Sequence, residues 1–157
     1  ERIALSGKNG CGKSSLIKLI LGEDIPHTGE IHLAGGLKIS YISQDTSRLN
    51  GTLSAFAEKQ GLDDALFRTV LRKLGLERVQ FEKRIEEYSE GQKKKVLLAV
   101  SLCEPAHLFL WDEPLNFIDI FSRIQLEELL LASRPTMLFV EHDLAFREKV
   151  ATRVVSI

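Results

Sequence analysis

The sequence is short of cysteine, of long apolar runs and of net charge, and each shortage closes off a class of protein. Its two cysteines, Cys11 and Cys103, lie far apart and fit neither a disulfide framework nor metal-ligand spacing. That usage points to a reduced, cytoplasmic setting. No apolar stretch approaches the roughly 18–20 residues that span a bilayer, and no signal-peptide pattern is present. Direct membrane insertion is therefore not expected, and any membrane contact would come through another chain or domain. With 21 basic and 22 acidic side chains the formal charge is -1, which makes no case for a polyanion-binding surface over the chain as a whole. Repeats and low-complexity tracts are also missing. What is left is 157 residues, 44% hydrophobic and 27% charged, the makeup of one globular domain with a real core.

The most informative stretch is Gly7-Lys8-Asn9-Gly10-Cys11-Gly12-Lys13-Ser14-Ser15, which fits the phosphate-binding pattern G-x-x-x-x-G-K-[ST]. Ile3-Ala4-Leu5 precedes it and Leu16 to Leu21 follows, so a strand feeds a glycine-rich loop that opens a helix. Glycines at 7, 10 and 12 let successive N–H groups turn around an anion, and the helix N-terminus adds unpaired donors and a positive dipole end. Lys13 is placed to reach the outer phosphates, and Ser14 offers a hard oxygen to Mg2+. The plain alternative is a glycine-rich turn before an ordinary helix.

Beyond Gly22 and Pro26, the runs Gly29 to Leu33 and Leu37 to Ser43 predict a strand or hairpin edge and then a strand that ends at Gln44. From Thr46 the texture turns helical. Asp63 is expected to cap a helix carrying Leu66, Phe67, Val70, Leu71 and Leu74, with Gly75 stopping it. Ser89 is expected to cap another that closes before Pro105. His107 to Trp111 is a nearly continuous apolar run, the mark of a strand covered on both faces, and it ends in Asp112-Glu113. Asp119 starts a helix to about Ala132, Thr136 to Val140 is a second buried strand ending at Glu141-His142-Asp143, and a last helix spans about 144–150. Strands alternating with helices imply a mainly parallel, three-layer α/β/α domain, in which ligand chemistry gathers at strand ends. Taken singly, the Asp-Glu pair is also read as a helix cap beside a solvated acid, and His142 as structural. His27, His32 and His107 receive no functional role. Lys93 to Lys95 read as a solvated helix face, and Trp111 as core.

The order of these motifs resembles the nucleotide-binding domain of the ATP-binding cassette (ABC) superfamily, end to end. The matching features are the phosphate loop at Gly7 to Ser15, Gln44 after a strand, Ser89-Glu90-Gly91-Gln92, Asp112-Glu113 closing an apolar strand, Asp119, and His142 at a strand end. The resemblance implies a P-loop NTPase core of the ABC ATPase type over residues 1–157, lacking its most N-terminal strands, with a helical subdomain inserted at about 46–103. Both ends read as cut from something longer. It implies ATP and Mg2+ as cofactors, with Ser14, Gln44 and Asp112 serving the metal, Glu113 the catalytic carboxylate, and His142 touching the terminal phosphate. Ser89, Glu90, Gly91 and Gln92 would contact ATP held by a second domain, through Ser89 and the N–H groups at Gly91 and Gln92, and Asp119 would cross the same interface. ATP then joins two domains, so the chain alone is expected to hydrolyse it slowly or not at all. Glu90 stands where the family commonly has glycine, setting a negative charge near an anionic ligand.

Wording around the motifs, Tyr88 to Val96, Trp111 to Asp119 and Phe139 to Asp143, looks like the ABC-F class, and most like the second ATPase domain of antibiotic-resistance ribosome-protection proteins. That implies a second ATPase domain in the same full-length chain and the ribosome as partners. The alternative is the ATPase subunit of a membrane transporter. Arg84 to Tyr88 lacks the glycine-rich segment expected of many exporters, which favours the first. Too few residues separate Gln44 from Ser89 for the long coiled coil of chromosome-maintenance ATPases.

Overall fold

A computed structural model describes all residues, 1–157. Five parallel strands form one sheet in the order β2-β3-β4-β1-β5, with β1 at Arg2–Ser6, β2 at Ile39–Ile42, β3 at Leu108–Asp112, β4 at Met137–Val140 and β5 at Arg153–Ser156. Every connection is a crossover, as parallel pairing requires. The helices are α1 (Lys13–Ile20), α2 (Leu53–Gln60), α3 (Asp64–Lys73), α4 (Glu90–Cys103), α5 (Ile120–Ser133) and α6 (Leu144–Val150), with 3-10 turns at Arg78–Glu82 and Ile85–Glu87.

The two-residue period of the strands sorts their side chains onto two faces. Leu5, Leu110 and Val140 pack with Ile17 of α1 on one. Ala4, Trp111 and Phe139 point the other way, into the larger core that includes Val96 and Leu98 of α4, Leu126 and Leu130 of α5, and Phe146 of α6. The register sets Ala4 beside Phe139 and Leu110 beside Leu138, so the three-layer expectation holds. Trp111 is fully buried, and its indole N–H donates to Ser101 Oγ at 2.9 Å. That indole is core, as its strand position predicts, and the bond removes the desolvation cost of a buried donor.

Two expectations need correction. Gly29 to Leu33 forms no strand. Its alternation has no ladder partner, and Ile31 and Leu33 are exposed, so a period-2 pattern without a neighbour to pair with stays irregular. Lys93 to Lys95 do not make a solvated face either. Lys94 and Lys95 are buried because α4 packs on both α3 and β2, which leaves little of its circumference to water.

Within the helical segment α2 and α3 start on side-chain caps, Thr52 and Asp63 accepting from the N–H groups of Ala55 and Leu66. Gly75 follows α3 at φ 78°, the left-handed stop expected there. Leu66 is exposed, so the apolar face of α3 is narrower than the sequence pattern implies.

Candidate functional site

The loop between β1 and α1 is built for an anion. Gly10 and Gly12 have φ of 79° and 103°, a region that side-chain-bearing residues avoid. Of the donors around it, the Cys11 N–H bonds Lys8 O at 3.2 Å, while those of Gly10, Gly12, Lys13 and Ser14 have no partner within the protein. Lys13 is buried, and its ammonium donates to the carbonyls of Gly7 and Lys8 at 2.8 and 2.9 Å. The lysine thus spans its own loop with the charge fixed at the loop's centre. Gly7 is required by space: a Cβ there would lie 2.5 Å from Ile157 O and 2.6 Å from Cys11 Sγ.

A cleft of about 280 Å3 opens on this loop, bounded by Asn9, Gly10, Gly12 and Lys13 to Ser15 on one side and by Glu113, Val140 and His142 on the other. The side chains of Lys8 and Cys11 lie outside it. β3 ends at Asp112, so the strand's two-residue period fixes the side of Asp112, while Glu113 follows outside the strand. Asp112 shares the face of Leu110 and so points to the α1 side, where it is buried and one carboxylate oxygen, Oδ1, has no hydrogen-bond partner. An orphaned buried anionic oxygen beside a phosphate loop fits a cation. No three His, Cys, Asp or Glu side chains converge on one metal point. Asp112, Ser14 and Gln44 are the residues that would hold Mg2+ by the family resemblance, an ion that takes hard oxygen ligands.

Glu113 sits at φ 51°, a conformation that costs a non-glycine residue on the order of 1–3 kcal/mol. Its N–H bonds Val140 O at 2.9 Å, and Asn116 Nδ2 holds its Oε2 at 2.7 Å. The strain aims the carboxylate along the cleft, where Gln44 Nε2 reaches Oε2 and His142 Nε2 reaches Oε1, both at 3.3 Å. Three residues named from sequence, Gln44, Glu113 and His142, therefore meet around one carboxylate.

Four neighbours escaped the sequence reading. Asn116 positions Glu113. Glu141, buried, accepts from the N–H groups of Leu115, His142 and Asp143 at 3.2, 2.7 and 3.2 Å, fixing the ends of two site loops. Lys94 lies behind the acids: burial pushes its ammonium pKa down, while Asp112, Glu113 and Glu141 pull it back up. Phe117 stands at φ 66° in the loop after Glu113, its carbonyl against the first turn of α4. The sequence signal for all four is the wording of Tyr88 to Val96, Trp111 to Asp119 and Phe139 to Asp143, which marks the stretches without giving these residues a role.

The second expected anion site is the α4 N-terminus. Ser89 caps it, and the reciprocal bonds with Gln92 are 3.2 Å (Gln92 N–H to Ser89 Oγ) and 2.9 Å (Ser89 N–H to Gln92 Oε1). This is a capping box, and it corrects one detail, since the Gln92 N–H is spent on Ser89 and is not a free donor. Gly91 is required there: a Cβ would meet Phe117 O at 2.6 Å. The Glu90 carboxylate is held by Thr46 Oγ1 at 3.0 Å and Lys93 at 3.5 Å, which offsets part of its charge. Asp119 caps α5 through the Ser122 N–H and pairs with Lys95 at 3.0 Å. Burial pushes its carboxyl up, but the Ser122 N–H and hydroxyl and the Lys95 ammonium outweigh that and hold it well below the carboxylate range.

Comparison with known proteins bears on the family and the fold. The family profile described as "ABC transporter" matches residues 1–116. The chain is 33% identical to "ATP-binding protein Uup" of Buchnera aphidicola subsp. Acyrthosiphon pisum (strain APS), over 98% of this chain and 27% of that protein. It is 31% identical to "Putative ATP-binding protein YdiF" of Bacillus subtilis (strain 168), over 100% of this chain and 25% of that one. The chain thus spans about a quarter of the length of these curated relatives. Among solved structures it superposes with a TM-score of 0.82 and 26% identity on the complex of archaeal ribosomal stalk protein aP1 and archaeal ribosome recycling factor aABCE1, covering 99% of this chain and 31% of that one.

Proposed function

The chain belongs to the ABC transporter family as an ATPase domain, and on that premise we propose that it is one ATPase domain of an ABC-F factor that closes on a second such domain to act on the ribosome. The observation that carries the catalytic part is Glu113, held between Gln44, Asn116 and His142 at the edge of the phosphate-loop cleft. Lys13 and the unpaired loop N–H groups hold the phosphates of ATP. Glu113 orients and polarises the attacking water, and His142 reaches the terminal phosphate. Mg2+, when bound through Ser14, Gln44 and Asp112, supplies positive charge to the phosphate oxygens. Water adds to the terminal phosphorus, and the bond to the ADP oxygen breaks.

A second domain follows from the family resemblance, in which the α4 N-terminus at Ser89 to Gln92 would receive ATP held by another domain. ATP in this cleft meets the other domain's equivalent of Ser89 to Gln92, and Asp119 sits beside that contact. The ribosome as partner is supported by ABC-F-like motif wording and by likeness to the structure of an archaeal ribosome recycling factor with a ribosomal stalk protein; the relatives' names support ATP binding. The narrower role in antibiotic resistance is supported by the motif wording alone. The test is co-sedimentation of the full-length parent with ribosomes. Glu113→Gln with ATP should pellet with ribosomes more strongly than wild type, because uncleaved ATP keeps the domains closed. No ATP-dependent pelleting of either form contradicts the reading, and a parent that purifies with a membrane-spanning partner replaces it with a transporter.

A further inference from the structure

Away from the nucleotide cleft, the stretch from Asp64 to Arg84 carries six basic side chains against three acidic ones, in a chain whose net charge is -1. Three of them, Arg68, Arg72 and Arg78, converge with Phe81 around an open cavity of about 470 Å3. Their placement follows from local structure. α3 presents Arg68 and Arg72 four residues apart on one face, and the 3-10 turn at Arg78–Glu82 brings Arg78 and Phe81 beside them.

The cluster is held in shape. Phe81 packs against the main core, and the guanidinium carbons of Arg68 and Arg72 lie 5.6 and 5.8 Å from its ring centroid, within cation–π range. Arg68 is fixed further by Asp64 at 2.9 Å and Ser54 Oγ at 2.6 Å. Arg72 and Arg78 take part in no ion pair, the arginine pairs being those of Arg68, Arg84, Arg123 and Arg153. Two guanidiniums are thus left with unpaired donor forks, one of them already immobilised by stacking. Planar forks of this kind match phosphate oxygens bidentately, at a reduced entropic cost.

We propose that this cavity binds the phosphodiester backbone of RNA. The lining has one apolar side chain among three cations, which disfavours an apolar ligand. Lys73 lies between the cavity arginines in sequence, and Lys83 and Arg84 follow Phe81, so further cations accompany the cavity residues, as a repeating polyanion would need. The choice of RNA over a phosphorylated peptide rests on the ribosome reading above.

Fluorescence anisotropy of a short labelled single-stranded RNA with the chain is the test. Wild type should bind with affinity falling as salt rises. Arg72→Ala with Arg78→Ala should weaken binding about tenfold and flatten the log–log salt slope by roughly 1.4, the value for two lost phosphate contacts on a single strand. Lysine at both positions should keep most of the slope and recover only part of the affinity, since the charge returns without the fork. ATP affinity measured by calorimetry should not change in either variant, which shows that the fold is intact. Absence of RNA binding, binding indifferent to the alanine pair, or tighter capture of a phosphorylated peptide overturns the inference. If ribosome pelleting persists in the alanine variant's parent while the chain shows no RNA binding, this inference fails alone. If pelleting fails while the arginines still bind RNA, the ribosome reading fails alone.

Discussion

Replacing Gly91 by alanine probes the contact that ties the α4 N-terminus to the loop after Glu113. The added Cβ would stand 2.6 Å from the Phe117 carbonyl oxygen, well inside the roughly 3.5 Å at which non-bonded heavy atoms are comfortable. Both partners are backbone, and neither can rotate aside. Phe117 is itself at φ 66°, so the loop has little freedom to yield, and the first turn of α4 must withdraw by several tenths of an ångström. Overpacking of this kind costs about 1–3 kcal/mol. Alanine regains about 0.5–1 kcal/mol of helix preference over glycine, leaving a net loss of roughly 0.5–2 kcal/mol. For a chain of this size that lowers Tm by about 1–8 °C. Gly35→Ala is the control: it has no atom within 4 Å and no positive φ, so its effect should stay within about 0.5 kcal/mol. Urea unfolding of both variants at matched m-value measures the difference. A Gly91→Ala protein as stable as wild type or as the Gly35 control refutes the close approach.

Lys13→Ala should weaken ATP binding by roughly 10- to 150-fold, the range for one hydrogen bond to a charged group; unaltered affinity in calorimetry contradicts the cradle built by Gly7 to Ser15. Maleimide at neutral pH should label Cys11, which is exposed, and spare Cys103, whose thiol burial pushes up to about 11; mass spectrometry showing the reverse order refutes both placements. Asp119 has a carboxyl held below its usual range, so it contributes stability above the ordinary carboxylate pKa and loses it as pH falls through its own lower value. Asp119→Asn should therefore be less stable than wild type at neutral pH, with the gap closing in strong acid; a gap that is constant with pH excludes the ionised cap and the Lys95 pair as its source.

The parts of the site that sequence reveals are those set by local rules. Three glycines and a lysine specify a phosphate loop by backbone geometry, and period 2 along Leu108–Asp112 puts Asp112 on the face of Leu110 before any tertiary contact is known. Ser89 and Gln92 announce their capping box by spacing. The rest depends on what packs against what. Lys94 belongs to a three-lysine run that reads as solvated until α3 and β2 cover it. Asn116 acts through one hydrogen bond to Glu113 and Glu141 through three backbone N–H groups, contacts that exist only once the loops are folded, and the arginine cavity joins two elements whose residues match no motif. Gly29 to Leu33 failed in the opposite direction, because alternation predicts a strand only where a neighbouring strand exists to pair with.

That ATP in this cleft is completed by a second domain is tested most directly by turnover of the chain against its own concentration. The isolated chain at low concentration should release almost no phosphate, with turnover rising only when a second ATPase domain is added and falling again when that domain carries Glu90-Gly91 changes in its equivalent of this signature. Robust phosphate release by the chain alone, proportional to protein and indifferent to a second domain, would contradict the shared compartment.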